Sequence, residues 1–148
     1  MLGHHSSEAL AAMHLGGPFE WSLWSIFSAF SVATVAEVGR HVGGGRPRAA
    51  AAVARLSIAI GLGIGALVAA LSPLAILLLQ RVGSASSPVT MGQACGYLQT
   101  TLLASPTVFI GTAAIAAIQA GGDTRSPLAI GVLVNLIHIG LNRIFILG

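Results

Sequence analysis

The 148-residue chain is 55% hydrophobic and only 7% charged, with a formal net charge of +3. A soluble domain carries about 25% charged residues, so this composition excludes an ordinary water-soluble globule. Its high hydrophobicity and low charge also exclude a disordered chain. An integral membrane protein remains, and the spacing of the charges tests it. Uncharged stretches of 25, 41 and 17 residues separate Arg55 from Arg81, Arg81 from Asp123 and Arg125 from Arg143. A helical span needs about 20 apolar residues. A further apolar stretch runs from Phe19 to Val38, interrupted near its ends by Glu20 and Glu37. These stretches predict an all-α, polytopic membrane helix bundle with four spans.

In chain order, residues 1–17 read as an exposed loop with at most one helical turn. Pro18 suits a helix start, so the first span is placed at 19–42, and Trp21 and Trp24 at its beginning fit an aromatic belt. The run Gly43-Gly44-Gly45-Arg46-Pro47-Arg48 is a clear break. The second span is placed at 49–79, with a kink or break expected at Pro73. Its residues Ser57, Gly61, Gly65 and Ala69 form a small-residue ridge at four-residue spacing, which lets another helix approach closely. A loop follows from Val82 to Thr90. The third span is placed at 92–120, with Pro106 in its middle and a second small pair at Gly92 and Gly96. Residues 121–125 form a tight turn, and the fourth span is placed at 127–148.

Arginine placement gives the orientation. Arg40, Arg46, Arg48 and Arg55 flank the first loop and Arg125 lies in the third, whereas Arg81 alone marks the second. Arginine-rich loops stay cytoplasmic, so the loops near 43–48 and 121–125 are expected inside and residues 1–17 form an extracytoplasmic loop. An outside start without a basic and apolar leader suggests that another helix precedes Met1.

Other function classes find little support. There is no lysine and no basic run interleaved with aromatics, so nucleic-acid binding is not expected. Lone Cys95 excludes an internal disulfide and a cysteine-based metal cluster. The glycine run lacks the Lys-Ser/Thr of a phosphate loop. No Ser/His/Asp set or carboxylate pair points to hydrolysis, so no enzyme activity and no cofactor is expected. His4, His5 and Glu8 have spacing that a metal could use, but they read as exposed loop residues and no metal is assigned.

The residues that carry pathway chemistry lie elsewhere. On a helix at 100° per residue, Gly131, Asn135, His138 and Asn142 fall within an arc of about 60°. One role for this polar stripe is to line a transport cavity; the other is interhelical hydrogen bonding, with Gly131 allowing close approach. His138 titrates near neutrality when unperturbed, which makes it either a proton relay or a hydrogen-bonded neutral group. Glu37 precedes Arg40 and His41 by three and four residues, on one helix face. It forms an interfacial ion pair or contacts a cation at the inner mouth of a cavity.

The segment Gly122-Asp123-Thr124-Arg125-Ser126-Pro127, followed by an asparagine-bearing apolar helix ending at Gly148, resembles the fifth helix of the multidrug and toxic compound extrusion (MATE) transporters. Glu8-Ala9-Leu10-Ala11-Ala12 is similar to the segment after that family's first helix. Arg40-His41-Val42-Gly43-Gly44-Gly45 resembles its second-to-third-helix loop, and Tyr97-Leu98 with Pro106 fits its fourth helix. The resemblance implies helices two to five of a six-helix first lobe, within a twelve-helix, two-lobe exporter of the plasma membrane. It implies antiport of small organic, often cationic, compounds against Na⁺ or H⁺. The partners implied are lipid and the missing helices, or a second copy. At the place of Asn142 the family often has an aspartate, and at that of His138 an asparagine. The alternatives are a membrane interaction module that does not transport, and a related flippase for lipid-linked sugars.

A reporter fused after Gly45 is expected to be active only in the cytoplasm; activity on the other side would overturn the topology.

Overall fold

A computed structural model describes residues 7–84 and 86–147. Five helices follow one another: α1 (Ser7–Gly43), α2 (Pro47–Ala70), α3 (Ser72–Val82), α4 (Pro88–Ala120) and α5 (Arg125–Leu147). Four of them, α1, α2, α4 and α5, are long and apolar enough to cross a membrane. The all-α membrane bundle expected from composition is the fold observed.

The element boundaries differ from those expected in two places. Helix α1 starts at Ser7 and runs through Pro18, so most of the expected loop 1–17 is helical. A proline inside a helix loses one backbone hydrogen bond; here α1 continues past it, and the Ser22 hydroxyl donates to the Pro18 carbonyl at 2.8 Å. The second span is 24 residues long, not 31, because the chain breaks at Leu71 and restarts as the short helix α3. Pro73 sits in the first turn of α3, where its missing N–H costs nothing. His4 and His5 lie outside the described residues, as does the side chain of Glu8.

Turns are set by local chemistry. Gly45 takes φ +66°, a backbone state that favours glycine, and Pro47 then opens α2. The Ser87 hydroxyl caps α4 by accepting the Thr90 N–H at 3.2 Å, with Pro88 next in line. Asp123 closes the last turn. Its carboxylate accepts the backbone N–H groups of Arg125 and Ser126, each at 3.0 Å, and the Ser126 hydroxyl at 2.5 Å. These hydrogen bonds, the Ser126 hydroxyl first among them, hold the Asp123 carboxyl below its ordinary range.

Helix α4 is the spine. Thr90, Ala94, Leu98, Leu102, Ser105, Phe109, Ala113 and Ala116 recur every three or four residues and are all buried. Helices α1 and α2 pack along that stripe, and α3 touches its start. Leu23 of α1 and Leu79 of α3 join Ala94, Leu98 and Leu102 in one apolar cluster. The Phe109 ring stands edge-on to Phe27 at 4.4 Å and to Phe30 at 5.9 Å between centroids.

The α2–α4 contact is closest at the ridge. A Cβ on Gly65 would lie 2.8 Å from the Pro106 nitrogen, and one on Gly61 3.1 Å from the Phe109 carbonyl oxygen. Two backbones therefore meet without intervening side chains. Pro106 has no N–H to give the Leu102 carbonyl one turn back. The Ser105 hydroxyl lies 2.6 Å from that carbonyl oxygen and 2.9 Å from the Gly65 carbonyl oxygen, so its one proton is shared between two acceptors at the crossing. Helix α5 differs from the rest: it meets α4 only lightly and is exposed along nearly its whole length.

Gly65→Ala is expected to destabilise the bundle by about 1–3 kcal/mol through overpacking. Gly63→Ala, where a Cβ meets nothing, should change stability by less than about 0.5 kcal/mol. Thermal unfolding in detergent compares the two.

Candidate functional site

Side chains of α1 and α4 line a cleft of about 440 Å³. Its wall surface is largely apolar, with Trp24, Phe27, Val32 and Val108, while Glu20, Ser28, Ser31, Thr101 and Thr112 supply polar groups. Gly16 and Glu20 lie one turn apart on α1. A Cβ on Gly16 would sit 3.3 Å from the Tyr97 ring, so the missing side chain makes room for that ring. The Tyr97 hydroxyl then reaches Glu20 and donates to Oε2 at 2.7 Å. Thr101, one turn further along α4, donates back to the Tyr97 carbonyl at 3.0 Å. A carboxylate on one spanning helix is thus fixed by a phenol on another. Intramembrane ionisable groups are costly and mark pathways or paired sites.

Glu37 lies 17 residues further along α1, about 26 Å away at the helical rise. Arg40 Nη2 donates to Glu37 Oε1, and His41 Nε2 stands 3.7 Å from the same oxygen. Half of the Glu37 side chain and more of Arg40 are exposed. An exposed pair of this kind contributes little stability.

The polar stripe of α5 is brought to neither carboxylate. Asn135, His138 and Asn142 are all exposed. Asn135 Nδ2 donates to the Gly131 carbonyl at 2.9 Å within its own helix, and Asn135 borders a shallow groove between the end of α4 and the start of α5 with Ile115 and Gln119. The stripe shares a face, as the periodicity predicts, and that face is unpaired within the described residues.

With this geometry in view, the chain was compared with known proteins. Residues 1–144 match the MatE family model. The chain belongs to the MatE family. It is 26% identical to "Probable multidrug resistance protein NorM" of Thermotoga maritima over 147 residues, which is 99% of this chain and 32% of that relative. The chain therefore spans about a third of the length of the curated relative it matches. No solved structure matches it.

In this MatE chain Glu20 reads from sequence only as an interruption near the edge of a span, because its partner Tyr97 is 77 residues away and no spacing rule links them. The available signal was a carboxylate beside two tryptophans at the edge of an apolar stretch.

The Glu20–Tyr97 bond is expected to couple α1 to α4. A double-mutant cycle with Glu20→Gln and Tyr97→Phe should give a coupling energy of about 1–2 kcal/mol in unfolding. Simple additivity would show that the bond contributes nothing.

Proposed function

We propose that this MatE-family chain forms part of the first lobe of a secondary exporter, which moves bulky organic, often cationic, compounds across the plasma membrane in exchange for Na⁺ or H⁺. The observation that carries the proposal is the family match through all four spanning helices. The name of the relative, a multidrug resistance protein, supports the cargo class. In this reading the loops near 43–48 and 121–125 are cytoplasmic. Asn135, His138 and Asn142 line the cavity, His138 is the titratable group of that stripe, and Glu37 stands at the inner mouth.

Helix α5 supports a larger assembly. Leu128, Leu133, Leu136 and Ile139 are each at least 59% exposed, and Asn135, His138 and Asn142 beside them are exposed too. Lipid suits the apolar faces, but asparagine and histidine at membrane depth need protein or water. The remaining helices of a transporter, or a second copy, fit that need. Alternating access uses two bodies that close around one site, and these helices form at most one.

The test is a chimaera in which residues 1–148 replace the matching segment of the NorM relative. Expressed in membranes under a Na⁺ or H⁺ gradient, it should export a fluorescent cationic dye. Cysteines at positions 135 and 142, with Cys95 replaced, should react with polar thiol reagents. A correctly inserted chimaera without gradient-dependent efflux would overturn the proposal. The 148 residues alone in proteoliposomes are expected to move no dye.

A further inference from the structure

Positive charge is gathered in one half of the bundle. Helix α1 runs parallel to α4, since Glu20 meets Tyr97 and Phe30 meets Phe109. Helix α2 runs antiparallel to α4, since Gly61 faces Phe109 and Gly65 faces Pro106. The α1–α2 turn and the α4–α5 turn therefore lie at the same end. Arg40, Arg46, Arg48, Arg55 and Arg125 belong to that half, with only Glu37 and Asp123 among the carboxylates. These arginines are all exposed. Glu37 is taken by Arg40, and Asp123 by Ser126 and the backbone of its own turn. Among the described residues no carboxylate pairs with Arg46, Arg48 or Arg55. Arg46 folds back over the end of α1, where a Cβ on Gly44 would lie 3.4 Å from its Nε. An open hollow of about 420 Å³ lies against Arg46, Pro47, Arg48 and Ala49. Arg48 and Arg55 are two turns apart on α2, so they share a face to within about 20° and stand about 10 Å apart along the axis. That face is turned away from the buried Gly61 and Gly65. Leu62 continues it and Leu56 flanks it, both exposed.

We propose that this face of α2 binds one anionic phospholipid, with its phosphate held by the guanidinium groups of Arg46, Arg48 and Arg55 and its acyl chains laid along Leu56 and Leu62. The chemistry is complementary at both ends of the ligand. Guanidinium groups bind phosphate through paired, charge-assisted hydrogen bonds. Long side chains that start about 10 Å apart on one helix face can converge on a single headgroup between them. Basic pockets at the membrane surface take anionic headgroups in this way. The occupant is a lipid and not a free anion, because Arg55 lies two turns inside a spanning helix. A ligand at that depth needs an apolar body, which acyl chains supply. Topology alone asks only that arginines collect beside a cytoplasmic loop. It does not require Arg48 to stand over Arg55 on one exposed face with no carboxylate beside either. Snorkelling carries the Arg55 head towards the headgroups, and a phosphate there neutralises it. The inference concerns equilibrium binding by these residues and does not rest on the exporter reading.

The experiment is native mass spectrometry of the full chain in a neutral detergent, titrated with dioleoylphosphatidylglycerol. Dioleoylphosphatidylcholine is the zwitterionic control, and glycerol phosphate is the soluble form of the headgroup. In detergent the chain has no inside and outside, so the readout does not depend on topology. One phosphatidylglycerol is expected to bind about tenfold more tightly than phosphatidylcholine, and less tightly as salt is raised. Arg48→Gln combined with Arg55→Gln should lower that affinity about tenfold. Arg48→Lys combined with Arg55→Lys keeps the charge but loses the planar fork, and should cost several-fold. Arg81→Gln, at the other end of the bundle, should change nothing. Helicity measured by circular dichroism accompanies each variant, and the lysine pair separates loss of the fork from loss of fold. Equal binding of the two lipids, or unchanged affinity in the glutamine pair, would overturn the proposal. So would full affinity in the lysine pair, which marks a diffuse charge attraction, or displacement of the lipid by equimolar glycerol phosphate, which marks a free-anion site. Dye export by the chimaera moves independently of this binding, so a failure there faults the exporter assignment alone.

Discussion

The backbone crossing of α2 and α4 at Gly65 and Pro106 is the constraint on which the bundle depends. Helix association in a bilayer has no hydrophobic drive between helices, so close packing and hydrogen bonds must supply it. Gly61 and Gly65 remove the side chains that would hold α2 away from α4. Pro106 would cost a backbone hydrogen bond at the same level, and Ser105 offsets that loss while also reaching the Gly65 carbonyl. The two departures from ordinary helix chemistry, glycine and proline, meet at one point and compensate each other there.

With α2 fixed, the other face of α4 is left for α1. Phe109 lies at the junction: its ring packs against Phe27 and Phe30 of α1, while its carbonyl faces Gly61 of α2. Towards the start of α4 the contact passes through Leu98 and Leu102 to Tyr97 and Glu20. The cleft beside Trp24 is walled by Thr101, Val108 and Thr112 of α4 and by α1 residues that include Phe27, Ser28 and Ser31. The Tyr97–Glu20 hydrogen bond and the edge-on contacts of Phe109 with Phe27 and Phe30 hold α1 against α4 at separate levels.

Helix α5 stands outside this system. The Asp123 carboxylate fixes where the helix starts, but beyond that turn little of α4 reaches it. Its asparagines and histidine share one exposed face among the described residues, and Asn135 turns back on its own helix for a hydrogen bond. The membership of the MatE family and the chain's one-third share of a longer relative give that exposed face its context.

Much of this molecule is set by residue type and spacing alone. Charge-free stretches of bilayer length specify four spanning helices, because a spanning backbone must satisfy its own hydrogen bonds. The ridge through Gly61 and Gly65, the glycine turn before Pro47 and the Glu37–Arg40 pair are local or periodic features, and periodicity is visible in sequence. Pro18 misled, since a proline at a helix start and a proline carried inside a long helix look alike until the flanking turns are seen. The break at Leu71 is signalled by Pro73, which takes a place in the first turn of the helix that follows. The pairing of Glu20 with Tyr97, the double role of Ser105 and the isolation of α5 were decided by tertiary structure. Each depends on which helix faces come together across tens of residues, and side-chain identity along one chain does not specify that angle.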